Sequence, residues 1–137
     1  MRILVTGSAG FIGFHLCKAL IKKGVEIISL DNLNEYYSSD LKKDRLEELK
    51  KQFDLNLIKW NFVEGDIVNM KLLLDTFNKF KPDIVIHLAA QAGVRYSISN
   101  PEAYTNTNLL GFCNILECCR KFEIKNFIYA SSSSVYG

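Results

Sequence analysis

Short apolar runs alternate with longer amphipathic segments along this chain. The apolar runs have the length of strands, and unbroken ones are typical of strands that are covered on both faces. The predicted strands are ILVT (3–6), VEIISL (25–30), a segment within 57–66, DIVIHLAA (83–90) and NFIYASS (126–132). Strands that alternate with helices predict a parallel sheet with right-handed crossovers. We therefore predict an α/β fold, an open doubly wound parallel sheet of the Rossmann type with strand order 3-2-1-4-5.

The segments between the strands have helical spacing of their apolar residues. The predicted helices run from residue 11 to a stop at Gly24, over 39–53, from 70 to about 77, and from 101 to about 121. In the first helix Ile12, Leu16 and Leu20 are predicted to form the buried face. The many lysines and glutamates of 39–53 are predicted to face water.

Composition narrows the class of protein without identifying it. The chain has 137 residues, 48% apolar and 23% charged, with a net charge of +2. This size suits one domain spanning 1–137, and so small a charge predicts neither nucleic-acid nor membrane binding. No secretory signal is expected, because Met1-Arg2 runs straight into the first strand. The four cysteines form no CxxC pair, so we expect free thiols in a reducing compartment, the cytoplasm, and no metal site.

A glycine-rich turn lies between the first strand and the first helix. The stretch TGSAGFIG (6–13) places Gly7, Gly10 and Gly13 at GxxGxxG spacing. Gly7 permits the tight turn, Gly10 lets backbone approach a pyrophosphate, and Gly13 lets the helix pack closely on the sheet. The free N–H groups of the helix N-terminus then favour a phosphate. The turn predicts a dinucleotide site, with a tight turn that binds no ligand as the alternative.

Asp31 ends the second strand and predicts which dinucleotide binds. A carboxylate at this position can accept hydrogen bonds from the adenosine ribose hydroxyls, and it would repel a 2′-phosphate. Neither Ser8 nor the residues just after Asp31 offer an arginine or lysine that could hold such a phosphate. The predicted cofactor is NAD rather than NADP.

Several further motifs occur in a fixed order. They are DNLN (31–34), GDI (65–67), HLAAQAGVRYS (87–97), NTNLLGFCNILE (106–117) and SSSSVYG (131–137). Together with the glycine turn they resemble the extended short-chain dehydrogenase/reductase family over essentially the whole chain. DNLNEYY and AAQAGVRYS are most similar to the nucleotide-sugar epimerases of that family, especially the UDP-glucuronate 4-epimerases.

The resemblance implies roles for the matching positions. Asp66 and Ile67 would contact the adenine, while Ala89 and Ala90 would let the dinucleotide lie close to the fourth strand. Asp66 as a strand-end cap and the alanines as packing residues remain open alternatives, as does a buried helix hydrogen bond for Asn108. The positions that the resemblance adds to the cofactor site are Phe11, Ile12, Asn32, Asp66, Ile67, Leu88, Ala89, Ala90 and Asn108. His87 is predicted to be a core histidine and not a catalytic base.

The family's chemistry needs a Ser or Thr, a Tyr and a Lys. The resemblance assigns the catalytic hydroxyl to Ser132, at the end of the fifth strand, with a register error onto a neighbouring serine as the alternative. Related dehydratases and decarboxylases carry carboxylates where this chain has Ser133 and Ser134, which favours epimerisation. Arg95 could meet a substrate diphosphate or uronate carboxylate, although a surface or interface arginine is the plainer interpretation.

The Tyr-x-x-x-Lys pair of the family is absent, so this chain resembles the N-terminal part of a larger enzyme, truncated after the fifth strand and without the substrate lobe. We expect the 137-residue chain alone to be inactive, and its fifth strand to be an uncovered edge. The implied function is C4 epimerisation of a UDP-sugar through a transient 4-keto sugar, with a homodimer as a possible assembly. The alternatives are a related enzyme that acts on UDP-glucose or an N-acetylated sugar, and a non-catalytic NAD-binding module or redox sensor.

Overall fold

The computed structural model describes residues 1–137, which form a five-stranded parallel sheet flanked by helices. The strands are β1 (Arg2–Thr6), β2 (Glu26–Asp31), β3 (Trp60–Glu64), β4 (Ile84–His87) and β5 (Asn126–Tyr129). The helices are α1 (Phe11–Ile21), α2 (Ser39–Leu55), α3 (Met70–Phe80), α4 (Val94–Ser99), α5 (Pro101–Tyr104) and α6 (Phe112–Lys121). The sheet order is β3-β2-β1-β4-β5. The predicted fold class and strand order are confirmed.

Each face of the sheet carries its own apolar core, because successive residues of a strand point to opposite faces. On one face Ile3 and Val5 of β1 pack in a cluster with Cys17 of α1 and Phe53 of α2. On the other face Leu4 of β1 belongs to a cluster of side chains from β2, β4, α3 and α6. That second cluster contains Ile28, Val85, Leu73, Phe77 and Ile115. Burial on both faces explains the unbroken apolar runs of the central strands.

Helix α1 has the predicted apolar face only in part: Leu16 and Leu20 are half-buried against the core, but Ile12 is not. Its buried residues are Gly13, Cys17 and Ile21, whereas Ile12 is 63% exposed. The close approach of Gly13 to the backbone of Gly7 and Ser8 turns this side of the helix to the sheet. The prediction for Ile12 was therefore wrong.

Helix α2 contains a buried charge that the sequence did not predict. Most of its charged residues face water as predicted, but Lys42 is only 4% exposed. Its ammonium group finds hydrogen-bond acceptors in the loop that precedes the helix. These acceptors make the burial of a lysine possible, because an unpaired buried charge would be costly.

Two strands are shorter than predicted. Strand β4 ends at His87 and β5 at Tyr129, so Ser132 lies beyond β5. It caps a short 3₁₀ turn, Ser133–Tyr136, where its hydroxyl accepts a hydrogen bond from the Ser134 N–H at 3.2 Å. Just after β4 the Leu88 N–H donates to both the carbonyl and the hydroxyl of Thr6, and the Ala89 N–H donates to the Thr6 hydroxyl.

The long helix predicted for 101–121 is interrupted. A π-helical segment, Thr105–Gly111, separates α5 from α6, and the preceding helix α4 was not predicted. Apolar spacing does not distinguish α from π pitch over so few residues. The four cysteines are free, and Cys113 alone among them is exposed. None of the helices has both the length and the apolar character that crossing a membrane requires.

Candidate functional site

A cleft opens at the carboxyl ends of the strands, beside β1, where the chain order of the sheet reverses. This switch point is where open α/β sheets bind ligands. The cleft is lined by the glycine turn, the ends of β2, β3 and β4, and the loop between β2 and α2. Its lining includes Gly7, Gly10, Asp31, Asn32, Asn34, Tyr36, Tyr37, Lys42, Asp66, Ile67, Leu88, Ala89, Ala90, Gln91 and Thr107.

The glycine turn is packed too tightly for side chains. Gly7 has φ +69°, and a Cβ there would lie 2.7 Å from the Ala89 nitrogen. A Cβ at Gly13 would overlap the Gly7 carbonyl, and one at Gly10 would lie 3.1 Å from the same oxygen. The Ser8 hydroxyl is buried within the turn without a hydrogen-bond partner. Helix α1 begins directly after the turn, so its first N–H groups lack partners within the helix and point toward the cleft end.

Asp31 connects the end of β2 to the glycine turn. Its carboxylate accepts hydrogen bonds from the Ala9 N–H at 3.0 Å and the Leu33 N–H at 2.9 Å. The side chain is largely buried, and it lines the cleft. Each carboxylate oxygen has a second lone pair, so Asp31 can still accept a hydrogen bond from a ligand hydroxyl.

Asp66 lies across the cleft, where β3 ends. Its carboxylate accepts hydrogen bonds from the Asn32 side chain at 2.8 Å and the Val68 N–H at 2.9 Å. Asn114 of α6 donates from below to the carbonyls of Ile67 at 3.1 Å and Val68 at 3.0 Å. The Asp66 loop is therefore held from both sides. Asn114 lies in the motif NTNLLGFCNILE (106–117), but only its buried contacts reveal this role.

The end of β4 is anchored by the π segment. The Asn108 side chain accepts a hydrogen bond from the Gln91 N–H at 2.8 Å and donates one to the Gln91 carbonyl at 3.0 Å. Asn108 does not line the cleft itself, but it fixes the backbone that does. Its support of a bound cofactor stays a prediction, because the alternative of a structural hydrogen bond from this helix has the same geometry.

His87 belongs to a buried network next to the glycine turn. The Thr6 hydroxyl accepts hydrogen bonds from the N–H groups of Leu88 and Ala89, so its own proton is free to bond His87 Nδ1 at 2.7 Å. Nδ1 then acts as an acceptor, which requires a neutral imidazole. Burial lowers the pKa of His87 to about 4. The prediction of a core histidine is confirmed.

Lys42 is one of the cleft residues that sequence reasoning missed, together with Asn34, Tyr36, Tyr37, Gln91 and Thr107. Its ammonium donates hydrogen bonds to the Asn34 carbonyl at 2.8 Å and the Asn34 side-chain oxygen at 2.6 Å. Burial lowers its pKa, and the nearby Asp31 carboxylate partly opposes that effect. No local signal separates Lys42 from the other lysines of α2.

Four further predicted site residues, besides the supporting Gly13 and Asn108, lie outside the cleft lining. Phe11 and Ile12 expose their side chains at the start of α1. Arg95 is exposed on α4, and Ser132 is exposed after β5. The structure does not bring these two side chains into contact with the cleft, and their roles stay predictions.

Comparison with known proteins identifies the family. A sequence model described as "NAD dependent epimerase/dehydratase family" matches residues 3–137. The chain belongs to this family. Protein CapI of Staphylococcus aureus is 53% identical to it over 138 aligned residues, which cover 100% of this chain and 39% of that protein. UDP-glucuronate 4-epimerase 4 of Arabidopsis thaliana is 44% identical, over 100% of this chain and 30% of that protein.

Solved structures of epimerases share the fold. The UDP-glucose 4-epimerase of Thermus thermophilus, determined in complex with NAD, superposes with a TM-score of 0.78 and 34% identity over 96% of this chain and 38% of its own. The chain thus spans about two fifths of such relatives.

NAD is the cofactor of the epimerase/dehydratase family, and the cleft fits it. Gly7 and Gly10 line the cleft without side chains, so their backbone is open to a pyrophosphate. The buried Asp31 carboxylate has acceptor capacity for ribose hydroxyls. The predicted cofactor is confirmed at the level of the family.

Proposed function

We propose that the protein containing this chain interconverts UDP-glucuronate and UDP-galacturonate by NAD-dependent epimerisation at carbon 4. The observation that carries the proposal is the glycine turn joined to Asp31 at the switch point of the sheet. The similarity to UDP-glucuronate 4-epimerases supports the substrate.

The residues of the cleft divide into four groups along the cofactor. The backbone of Gly7, Gly10 and the start of α1, with Gly13 packed beneath, would hold the pyrophosphate. Asp31 and Asn32 would bind the adenosine ribose. The adenine would contact Asp66 and Ile67, and the remainder of the cofactor would lie along Leu88, Ala89 and Ala90, supported by Asn108.

The chemistry would use residues on and beyond this chain. When bound, NAD accepts a hydride from carbon 4 of the sugar and returns it to the opposite face. We assign Ser132 to the hydroxyl that hydrogen-bonds the reacting oxygen, and we expect the Tyr and Lys of the pair outside this chain. Arg95 would bind the substrate's acidic groups. The N-terminal NAD-binding domain at 1–137 would therefore need a substrate lobe for turnover.

The setting of the protein follows from the same proposal. We expect a cytoplasmic enzyme, which the four unpaired cysteines support. A homodimer is the assembly that the resemblance suggests. The small molecule that this enzyme would bind as its substrate is a UDP-sugar.

Two other functions have specific support. The solved relatives named as UDP-glucose 4-epimerases favour a neutral sugar as an alternative substrate. A non-catalytic NAD-binding module would keep the cleft and dispense with Ser132, whose exposed position outside the cleft is compatible with that interpretation.

Proton NMR of the intact protein with UDP-glucuronate tests the proposal. We expect the anomeric signal of UDP-galacturonate to appear, and we expect a Ser132→Ala variant to slow its appearance. Turnover of UDP-glucose alone would identify the neutral-sugar enzyme. NAD binding without turnover of any UDP-sugar would identify the binding module.

A further inference from the structure

Lys42 places a buried positive charge at the adenosine end of the cleft. Its ammonium group is held by the two oxygens of Asn34 and lies 4.6 Å from the centre of the Tyr37 ring. An ammonium group has three donors, and the two Asn34 oxygens accept hydrogen bonds from two of them. The third donor has no hydrogen-bond acceptor within the chain, and Lys42 lines the cleft, where a ligand oxygen could accept it.

A second cation lies on the same helix. Arg45 donates hydrogen bonds from one guanidinium nitrogen to the Ala9 carbonyl and to the Tyr37 hydroxyl, both at 3.1 Å. Ala9 is the residue whose N–H bonds to the Asp31 carboxylate. Two cations and one carboxylate thus surround the junction of the glycine turn and β2.

From this juxtaposition we infer that Lys42 forms a latent site for a 2′-phosphate, which is masked in the wild type because the Asp31 carboxylate excludes the phosphate. The inference rests on the proposed function, because it requires the adenosine ribose to lie against Asp31. A phosphate there would be repelled by the carboxylate and attracted by the ammonium group. Removing the negative charge of Asp31 should therefore allow NADP to bind, because Lys42 already supplies a cation for the 2′-phosphate and no arginine has to be introduced.

The test measures binding of two adenosine ligands by calorimetry with the intact protein. The ligands are 5′-AMP and 2′,5′-ADP, which differ only by the 2′-phosphate. In the Asp31→Asn variant we expect affinity for 2′,5′-ADP to rise by about tenfold relative to 5′-AMP. Adding Lys42→Met should abolish that gain.

Lys43→Met is the matched control. Lys43 neighbours Lys42 on α2, but its side chain is 62% exposed and faces Asp40. Its replacement removes the same charge without touching the cleft. We expect it to leave the affinity ratio of the two ligands within about twofold of wild type, because solvent screens exposed charges.

The single variant Lys42→Met keeps the test decisive if Asp31→Asn does not fold. This variant should lower the affinity for 2′,5′-ADP by about fivefold relative to that for 5′-AMP, because only 2′,5′-ADP carries the 2′-phosphate that Lys42 attracts. An equal loss for both ligands, or a ratio like that of Lys43→Met, would overturn the inference. Absence of 5′-AMP binding by the wild type would instead refute the proposed cofactor site itself.

Discussion

At the scale of single residues, Gly7 and Gly24 form a natural comparison. Their backbone angles are almost identical, with φ of +69° and +68°. A Cβ at Gly24 would meet nothing within 4 Å, whereas one at Gly7 would press on the backbone of Leu88 and Ala89. The two positions therefore separate the cost of the left-handed conformation from the cost of crowding between β1 and β4.

Gly24→Ala should lower the free energy of unfolding by about 1 kcal/mol, the ordinary cost of a positive φ. Gly7→Ala should lower it by about 2 kcal/mol more, because backbone must shift to admit the methyl group. It should also weaken NAD binding, since the turn that receives the pyrophosphate moves. Urea unfolding and NAD titration of both variants provide the measurement, and equal losses in stability would contradict the crowding argument.

At the scale of elements, the segment from α5 to α6 fixes two loops of the cleft. Asn108 holds the backbone of Gln91, and Asn114 holds the carbonyls of Ile67 and Val68. Gly111, between them, packs so closely on Ile67 that a side chain would overlap it. The π segment is the part of this helix that contacts the loop after β4, through Asn108 and Gln91. Its position next to the cleft agrees with the frequent occurrence of π turns at functional sites.

Asn108→Ala should destabilise the protein by about 2 kcal/mol, because both hydrogen bonds to Gln91 are lost. We also expect weaker NAD binding, since the loop after β4 lines the cleft. Asn106→Ala is the matched control, as Asn106 lies in the same π segment and its side chain makes no hydrogen bond within the chain. Thermal unfolding and NAD titration compare the two. If Asn106→Ala lost as much stability and NAD affinity as Asn108→Ala, the losses would come from the helix in general and not from the Asn108–Gln91 hydrogen bonds.

At the scale of the whole molecule, the buried His87 couples folding to pH. Burial holds its pKa at about 4, below the ordinary value of 6.5. Well above pH 6.5 the His87 ring is neutral in both the folded and the unfolded state. Its contribution to the free energy of unfolding is then complete. As the pH falls from 6.5 toward 4, the unfolded state takes up a proton that the folded state cannot, so stability is lost.

This contribution amounts to roughly 3 kcal/mol between pH 7 and pH 4. His87→Asn should reduce the acid sensitivity, because an amide oxygen can still accept the Thr6 hydrogen bond but does not titrate. His15→Gln, which changes the exposed histidine of α1, should retain the wild-type slope. Urea unfolding at several pH values gives the slopes, and parallel slopes for wild type and His87→Asn would refute the assignment.

Local signals explain what could be predicted from the sequence. The glycine turn, Asp31 and the order of the strands depend on short-range patterns with a strong steric or topological cause. The exact burial along α1 and the π segment depend on how neighbouring elements meet, so spacing alone wrongly buried Ile12 and predicted a continuous helix. Lys42 is buried by a loop that folds over it, and no pattern within α2 distinguishes it from Lys43.

The register of the sheet also orders events during synthesis. Strand β1 pairs with β4 across a long stretch of sequence, with Thr6 bonded to His87 at a separation of 81 residues. The ribosome makes the glycine turn early. The backbone of Leu88 and Ala89, which packs against Gly7, is made some eighty residues later. Closing such a distant contact is slow compared with forming local helices. A nascent chain would therefore carry a complete glycine motif for most of the translation of this segment before it could retain a cofactor.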